Sequence, residues 1–136
     1  SKYGTAYFAN NTIEDYWMVA PVDLPDGAVI DNLSAYFIDK STGASGENLT
    51  IRLIRRTINQ NLIPSPEVII ASVETTDGTT MAVRSVNTTI TANNAVNNNL
   101  YTYFIKVLVE DVNIDVGYFW KGEILAIKTV RLRYNL

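Results

Sequence analysis

The sequence predicts an all-β fold: an antiparallel β-sandwich or jelly-roll-like domain of about eight strands. Three observations predict it. Apolar residues recur mainly at period two, the stretches between them are short and rich in Gly, Pro, Asn or Asp, and no segment carries a helical apolar period. Many short strands punctuated by turns build sandwiches and jelly rolls rather than α/β folds. At 136 residues the chain suits one domain, 1–136, able to bury about 65–70% of its unfolded surface around a single core.

The first two strands are expected over Tyr3–Ala9 and Tyr16–Val22. The corner Asp23-Leu24-Pro25-Asp26-Gly27 follows, where Pro presets one backbone angle and Gly supplies a positive one. A long strand over Val29–Asp39 puts Leu33, Ala35 and Phe37 on one face and Ser34, Tyr36 and Ile38 on the other. The small, polar stretch Lys40–Glu47 reads as a hairpin loop joining that strand to Asn48–Thr57. There Leu49, Ile51 and Leu53 point inward while Thr50, Arg52 and Arg56 point out.

Asn59–Pro66 holds two prolines, which cannot donate to a ladder, so it is a connection or an edge. Val68–Glu74 and Thr79–Ile90 are expected to form a hairpin about Thr76-Asp77-Gly78-Thr79, because an Asp-Gly pair between alternating runs is a strong turn signal. The Asn93–Asn99 tract is a loop, since Asn tolerates left-handed backbone and caps local turns. Tyr101, Tyr103, Ile105, Val107 and Val109 make the cleanest alternating face, and Ile124–Tyr134 closes the fold. In that last strand Lys128 breaks the apolar parity, and a β-bulge at Lys128-Thr129 restores it.

Composition excludes several function classes. The chain has no histidine and no cysteine, so thiolate nucleophiles, Ser-His triads and Cys/His zinc sites are ruled out. A net charge of −3 lacks the basic surface that nucleic-acid binding needs, so nucleic acid is not expected as a partner. No apolar run is long enough for a membrane span. The opening Ser1 in place of Met fits two accounts, a processed mature form whose leader has been removed, which is the favoured expectation, or a fragment in which the leader was never included.

The remaining candidates are carboxylates, aromatics, arginines and amides. Glu14, Asp15, Glu110, Asp111 and Asp115 are acids able in principle to do acid–base work as a pair, but solvated acids at strand ends are the stronger account. Asp23, Asp26 and Asp31, or Asp111 with Asp115, offer the oxygen ligands that calcium takes, at spacings that match no EF-hand loop; turn formation explains Asp23 and Asp26 equally well. No cofactor and no resident metal are therefore expected.

Tyr118, Phe119 and Trp120 form a concentrated aromatic run, and Tyr7, Tyr16 and Trp17 raise the same question. Exposed aromatics anchor protein interfaces or stack on sugars, whereas alternate members of such a run can simply plug a sandwich. Arg52, Arg55, Arg56, Arg131, Arg133 and Lys106 would gather on one sheet face if their strands were neighbours. Asn10, Asn32, Asn48 and Asn87 open N-glycosylation sequons, which arise readily by chance in an Asn- and Thr-rich chain.

The run Ala20-Pro21-Val22-Asp23-Leu24-Pro25-Asp26-Gly27-Ala28-Val29-Ile30, continuing into Leu33-Ser34-Ala35-Tyr36-Phe37-Ile38-Asp39, resembles a pattern in poorly characterised β-sandwich domains of bacterial exported proteins. In these, an apolar-Pro-Val-x-Leu-Pro-x-Gly-Ala corner leads into an aromatic strand ending at Asp. Leu100-Tyr101-Thr102-Tyr103-Phe104 and Val130-Arg131-Leu132-Arg133-Tyr134 are similar to that group as well. The resemblance implies a sandwich fold and export, and brings no catalytic residues. The resulting expectation is a non-enzymatic structural or assembly protein of a cell surface, extracellular fibre or virion. Such a protein would self-associate into a homo-oligomer or fibre through strand edges and aromatic surface. The alternative is a carbohydrate-binding module using Tyr36, Tyr118 or Trp120, with a glycan as partner.

Overall fold

A computed structural model of the chain describes residues 17–40, 48–58, 66–110 and 125–136. Among them are seven strands and no helix: β1 (Trp17–Val22), β2 (Val29–Asp39), β3 (Asn48–Thr57), β4 (Glu67–Glu74), β5 (Arg84–Thr89), β6 (Tyr101–Glu110) and β7 (Leu125–Asn135). They form two antiparallel sheets, one in the order β1-β6-β3-β4 and one in the order β5-β2-β7. The expected strand over Tyr3–Ala9 and the loop over 41–47 lie outside the described residues.

The core sits between the sheets and follows from alternation. In the four-stranded sheet Met18, Val107, Ile51 and Val73 make one inward row, and Ile105, Leu53 and Ala71 make the next. They pack with Leu33, Ala35 and Phe37 of β2 and with Ile127 of β7 in one continuous cluster. Burying each such large side chain contributes about 1.5–3 kcal/mol before chain entropy is subtracted.

Two expected hairpins are overturned. β2 and β3 are not neighbours: β2 pairs with β5 and β7, and β3 pairs with β4 and β6. Each strand has one strongly apolar face, Leu33-Ala35-Phe37 on one and Leu49-Ile51-Leu53 on the other. Placing the strands in opposite sheets packs these faces against one core, which a flat hairpin cannot do. The chain likewise changes sheet between β4 and β5, and the strand expected over Thr79–Ile90 is confined to Arg84–Thr89.

Gly78 serves that second crossing through space rather than through turn geometry. A Cβ at Gly78 would lie 2.5 Å from Arg84 Nη2 and 2.7 Å from the Asp39 carbonyl oxygen. The Arg84 guanidinium fills the corner, donating from Nη2 to Asp39 O at 2.9 Å and from Nη1 to Thr76 Oγ1 at 3.1 Å. It also lies 5.1 Å over the Phe37 ring, a position that uses cation–π attraction.

The bulge in the last strand is present. Tyr36 faces Thr129 and Phe37 faces Ile127, so Lys128 is the extra residue. It shifts the inward set from Ile127 to Val130 and Leu132, which a strictly alternating strand could not bury together. The same pair of strands has a second bulge at Asp31, between Ile30 and Asn32, and a third places Ile70 of β4 opposite no residue of β3, since Leu53 faces Ala71 and Ile54 faces Ile69.

Candidate functional site

Several expected site residues fall outside the described residues: Tyr7, Tyr16, Tyr118, Phe119, Trp120, Asp111 and Asp115, together with Glu14 and Asp15. Trp17 is the first residue of β1, its backbone opposite Leu108 of β6. Among the described residues, that places it on an outermost strand of the four-stranded sheet.

At one end of the sandwich, the corner after β1 and the loop before β6 are built into each other. Gly27, at φ 79°, donates its N–H to Val96 O at 2.9 Å, and Val96 returns a bond to Ala28 O at 2.8 Å. Asn98 donates from its backbone to Asp26 Oδ1 and from Nδ2 to Leu24 O, both at 2.8 Å. Asn94 Nδ2 reaches Ile30 O at 3.0 Å, and Asn97 Oδ1 accepts the Asn99 and Leu100 amides at 3.1 and 3.2 Å. The asparagine tract thus supplies hydrogen-bond partners for backbone groups that have left the ladder. Asn93 itself adopts φ 55°, the left-handed region that Asn tolerates.

The structure does not bring Asp23, Asp26 and Asp31 together, and among the described residues no group of three acids is placed to hold a metal ion. Asp26 is engaged by Asn98. Asp31 accepts from Arg133 Nε at 2.7 Å and from Asn135 Nδ2 at 3.1 Å. The Arg133 hydrogen bond is the main reason its carboxyl lies below the usual carboxylate range, against an opposing contribution from desolvation. The positive charge beside it reduces its value as a cation ligand.

The basic residues are divided between the sheets rather than gathered on one face. Arg52 lies opposite Lys106 on the four-stranded sheet. Arg56 on the same sheet forms an ion pair with Glu67 and stands 5.1 Å over the Phe104 ring. Arg55 turns to the loop end, where Nη2 donates to Asn93 Oδ1 at 3.0 Å and the guanidinium lies 4.3 Å over Tyr101. Arg131 and Arg133 belong to β7 in the other sheet.

That second group helps define a distinct surface. On the outer face of the three-stranded sheet, Thr89, Asn32 and Arg133 form one cross-strand row, Asn87, Ser34 and Arg131 the next, and Ser85, Tyr36 and Thr129 a third. All nine are exposed or half-buried. Arg131 stacks 4.9 Å over the Tyr36 ring, and Ser34 Oγ donates to Asn32 Oδ1 at 2.7 Å. Ile38, expected on this face, is buried.

The sequence reading missed a second surface feature, the apolar side chains at the margins. Among the described residues, exposed large apolar groups include Val19 on β1, Ile69 on β4, and Met81 and Val83 just before β5. Val29, Tyr134 and Leu136 share the end where β2 meets β7, and Ile58 bonds Leu100 backbone to backbone at 2.9 Å. The run Val68-Ile69-Ile70-Ala71 carried a signal, because four successive apolar residues cannot all face one way in a strand. Comparison with family models, with curated proteins and with solved structures found no match.

Proposed function

We propose that the chain is a non-enzymatic building block, a structural or assembly protein of a cell surface, an extracellular fibre or a virion, that self-associates through its margins. The observation that carries this reading is the placement of exposed apolar side chains on outermost strands and at element ends. Val19, 46% exposed, lies on β1 and Ile69, 50% exposed, on β4, among the described residues the two outermost strands of the four-stranded sheet. An outermost strand offers backbone donors and acceptors to a neighbouring chain, and apolar side chains beside them are what such an interface buries. The resemblance of the Pro21–Ala28 corner to exported sandwich domains supports the extracellular setting.

The test is sedimentation velocity of the full chain from low to high micromolar concentration. A species larger than one chain is expected, reduced to a monomer by Val19→Lys with Ile69→Lys while far-UV circular dichroism stays unchanged. A folded monomer at every concentration overturns the reading.

One observation favours a second reading, a carbohydrate-binding module. The hydroxyl- and amide-lined outer face around Tyr36 matches the hydrogen-bonding needs of a sugar. Glycan binding abolished by Tyr36→Ala would support it, and silence across a glycan array would end it.

A further inference from the structure

We infer that the outer face of the three-stranded sheet binds an acidic polysaccharide, with the carboxylate of a uronic acid residue on Arg131 and its hydroxyls on the neighbouring amides and hydroxyls. Such binding rests on the carbohydrate-binding reading of this face and adds the charge of the ligand. Within the three cross-strand rows every side chain ends in a hydroxyl, an amide or a guanidinium, and none is a carboxylate. The β2 members are half-buried, and Ser85, Asn87 and Thr89 of β5 stand exposed beside them. The two guanidiniums differ in what they already hold. Arg133 is committed to Asp31, its Nε 2.7 Å from Oδ1, so that pair adds no net charge. Arg131 has no carboxylate partner among the described residues, and its guanidinium lies 4.9 Å over the Tyr36 ring with Nη1 3.5 Å from the phenol oxygen. A planar guanidinium held over a ring is pre-organised, and its remaining N–H donors match a carboxylate bidentately.

One uncompensated positive charge is thus set among neutral hydrogen-bonding groups, and that pattern selects among anions. Nucleic acid carries a charge on every phosphate, and neutralising it takes several cations, which one guanidinium on a chain of net charge −3 does not provide. An acidic protein would bring apolar side chains to bury, and the three rows offer no apolar partner for them. A uronic acid carries a single carboxylate among several hydroxyls, the arrangement that Arg131 with Ser34, Asn87 and Thr129 complements. Because the Arg131 guanidinium covers a face of the Tyr36 ring, hydrogen bonds rather than stacking of a sugar on that face carry the recognition.

The test is isothermal titration calorimetry of the full chain with polygalacturonate, alginate and hyaluronan, each also as its methyl ester. Binding to at least one acid polymer is expected, weaker by about tenfold or more for the ester, which keeps the hydroxyls and removes the charge. Arg131→Gln should lower the affinity for the acid by a similar factor and erase the preference over the ester. Arg56→Gln removes the same charge from the other sheet and should leave both affinities unchanged, with far-UV circular dichroism confirming that each variant is folded. Equal binding of acid and ester overturns the inference, as does an equal loss from the two arginine variants or a single-stranded oligonucleotide bound as tightly as the acid. Binding to none of the three polymers overturns it as well. In that case a neutral glycan bound on an array keeps the carbohydrate-binding reading, whereas silence there ends that reading too.

Discussion

The Thr75 hydroxyl donates to the Asp39 carboxylate at 2.9 Å and accepts the Leu49 amide at the same distance. Asp39 ends β2 and Leu49 lies near the start of β3, so one side chain just beyond β4 links the two sheets where the chain crosses between them. Both Thr75 and Asp39 are buried. Thr75→Val keeps the shape and removes both bonds, leaving the Leu49 amide without this acceptor. The expected loss is about 1–3 kcal/mol in urea unfolding, and Thr75→Ser should retain most of the stability because it keeps the hydroxyl. Equal effects from the two variants would show that packing, not hydrogen bonding, holds this junction.

The Asp31–Arg133 pair makes stability depend on acid. Its folded carboxyl titrates below 3.8, principally because of the Arg133 hydrogen bond. A depressed folded value means that the contribution is complete above the unfolded value and disappears as pH falls through the folded one. The stability difference between the native chain and Asp31→Asn should therefore be constant near neutrality and shrink below about pH 4. Because the pair is exposed, it should also shrink in high salt. A carboxyl NMR titration of Asp31 with a midpoint at or above 3.8 would contradict this.

Gly78 and Gly27 should respond to alanine for different reasons. At Gly78 the added methyl meets Arg84 and the Asp39 carbonyl, and relief requires displacing the guanidinium from its bonds. A loss of about 1–3 kcal/mol is expected. At Gly27 nothing lies within 4 Å, but φ is 79°, so the cost of about 1–2 kcal/mol is backbone strain. Gly27→Asn should recover part of it, whereas Gly78→Asn should be worse than Gly78→Ala.

Deleting Lys128 removes the extra residue that lets Ile127, Val130 and Leu132 all face the core. The strand must then turn one part of that set outward, a change of face that costs about 2–5 kcal/mol for each large side chain lost from the interior. Lys128→Ala keeps the residue count and should be far milder. Thermal melts of the two variants separate the bulge from the side chain.

Much of the fold was legible in the sequence because alternation is local. The limits of β2 and β3, the inward rows Leu33-Ala35-Phe37 and Leu49-Ile51-Leu53, and the bulge at Lys128 all follow from which face successive side chains take. The site was less legible. Asn94 and Asn98 were readable as loop residues, yet their partners are remote: Ile30 for Asn94, and Leu24 and Asp26, about 70 positions away, for Asn98. Likewise the arginines were visible, but their division into Arg52 and Arg56 on one sheet and Arg131 and Arg133 on the other was not.

By itself the sequence determined the all-β class, the extent of most strands and the face that each one buries. Only the tertiary structure decided which strands are neighbours, placing β2 against β5 and β7 where the intervening polar loop suggested β3. Side-chain direction is set by the backbone geometry of adjacent residues. Pairing is set by which arrangement buries Phe37 and Ile51 against a common core, and that choice rests on residues far apart in the chain.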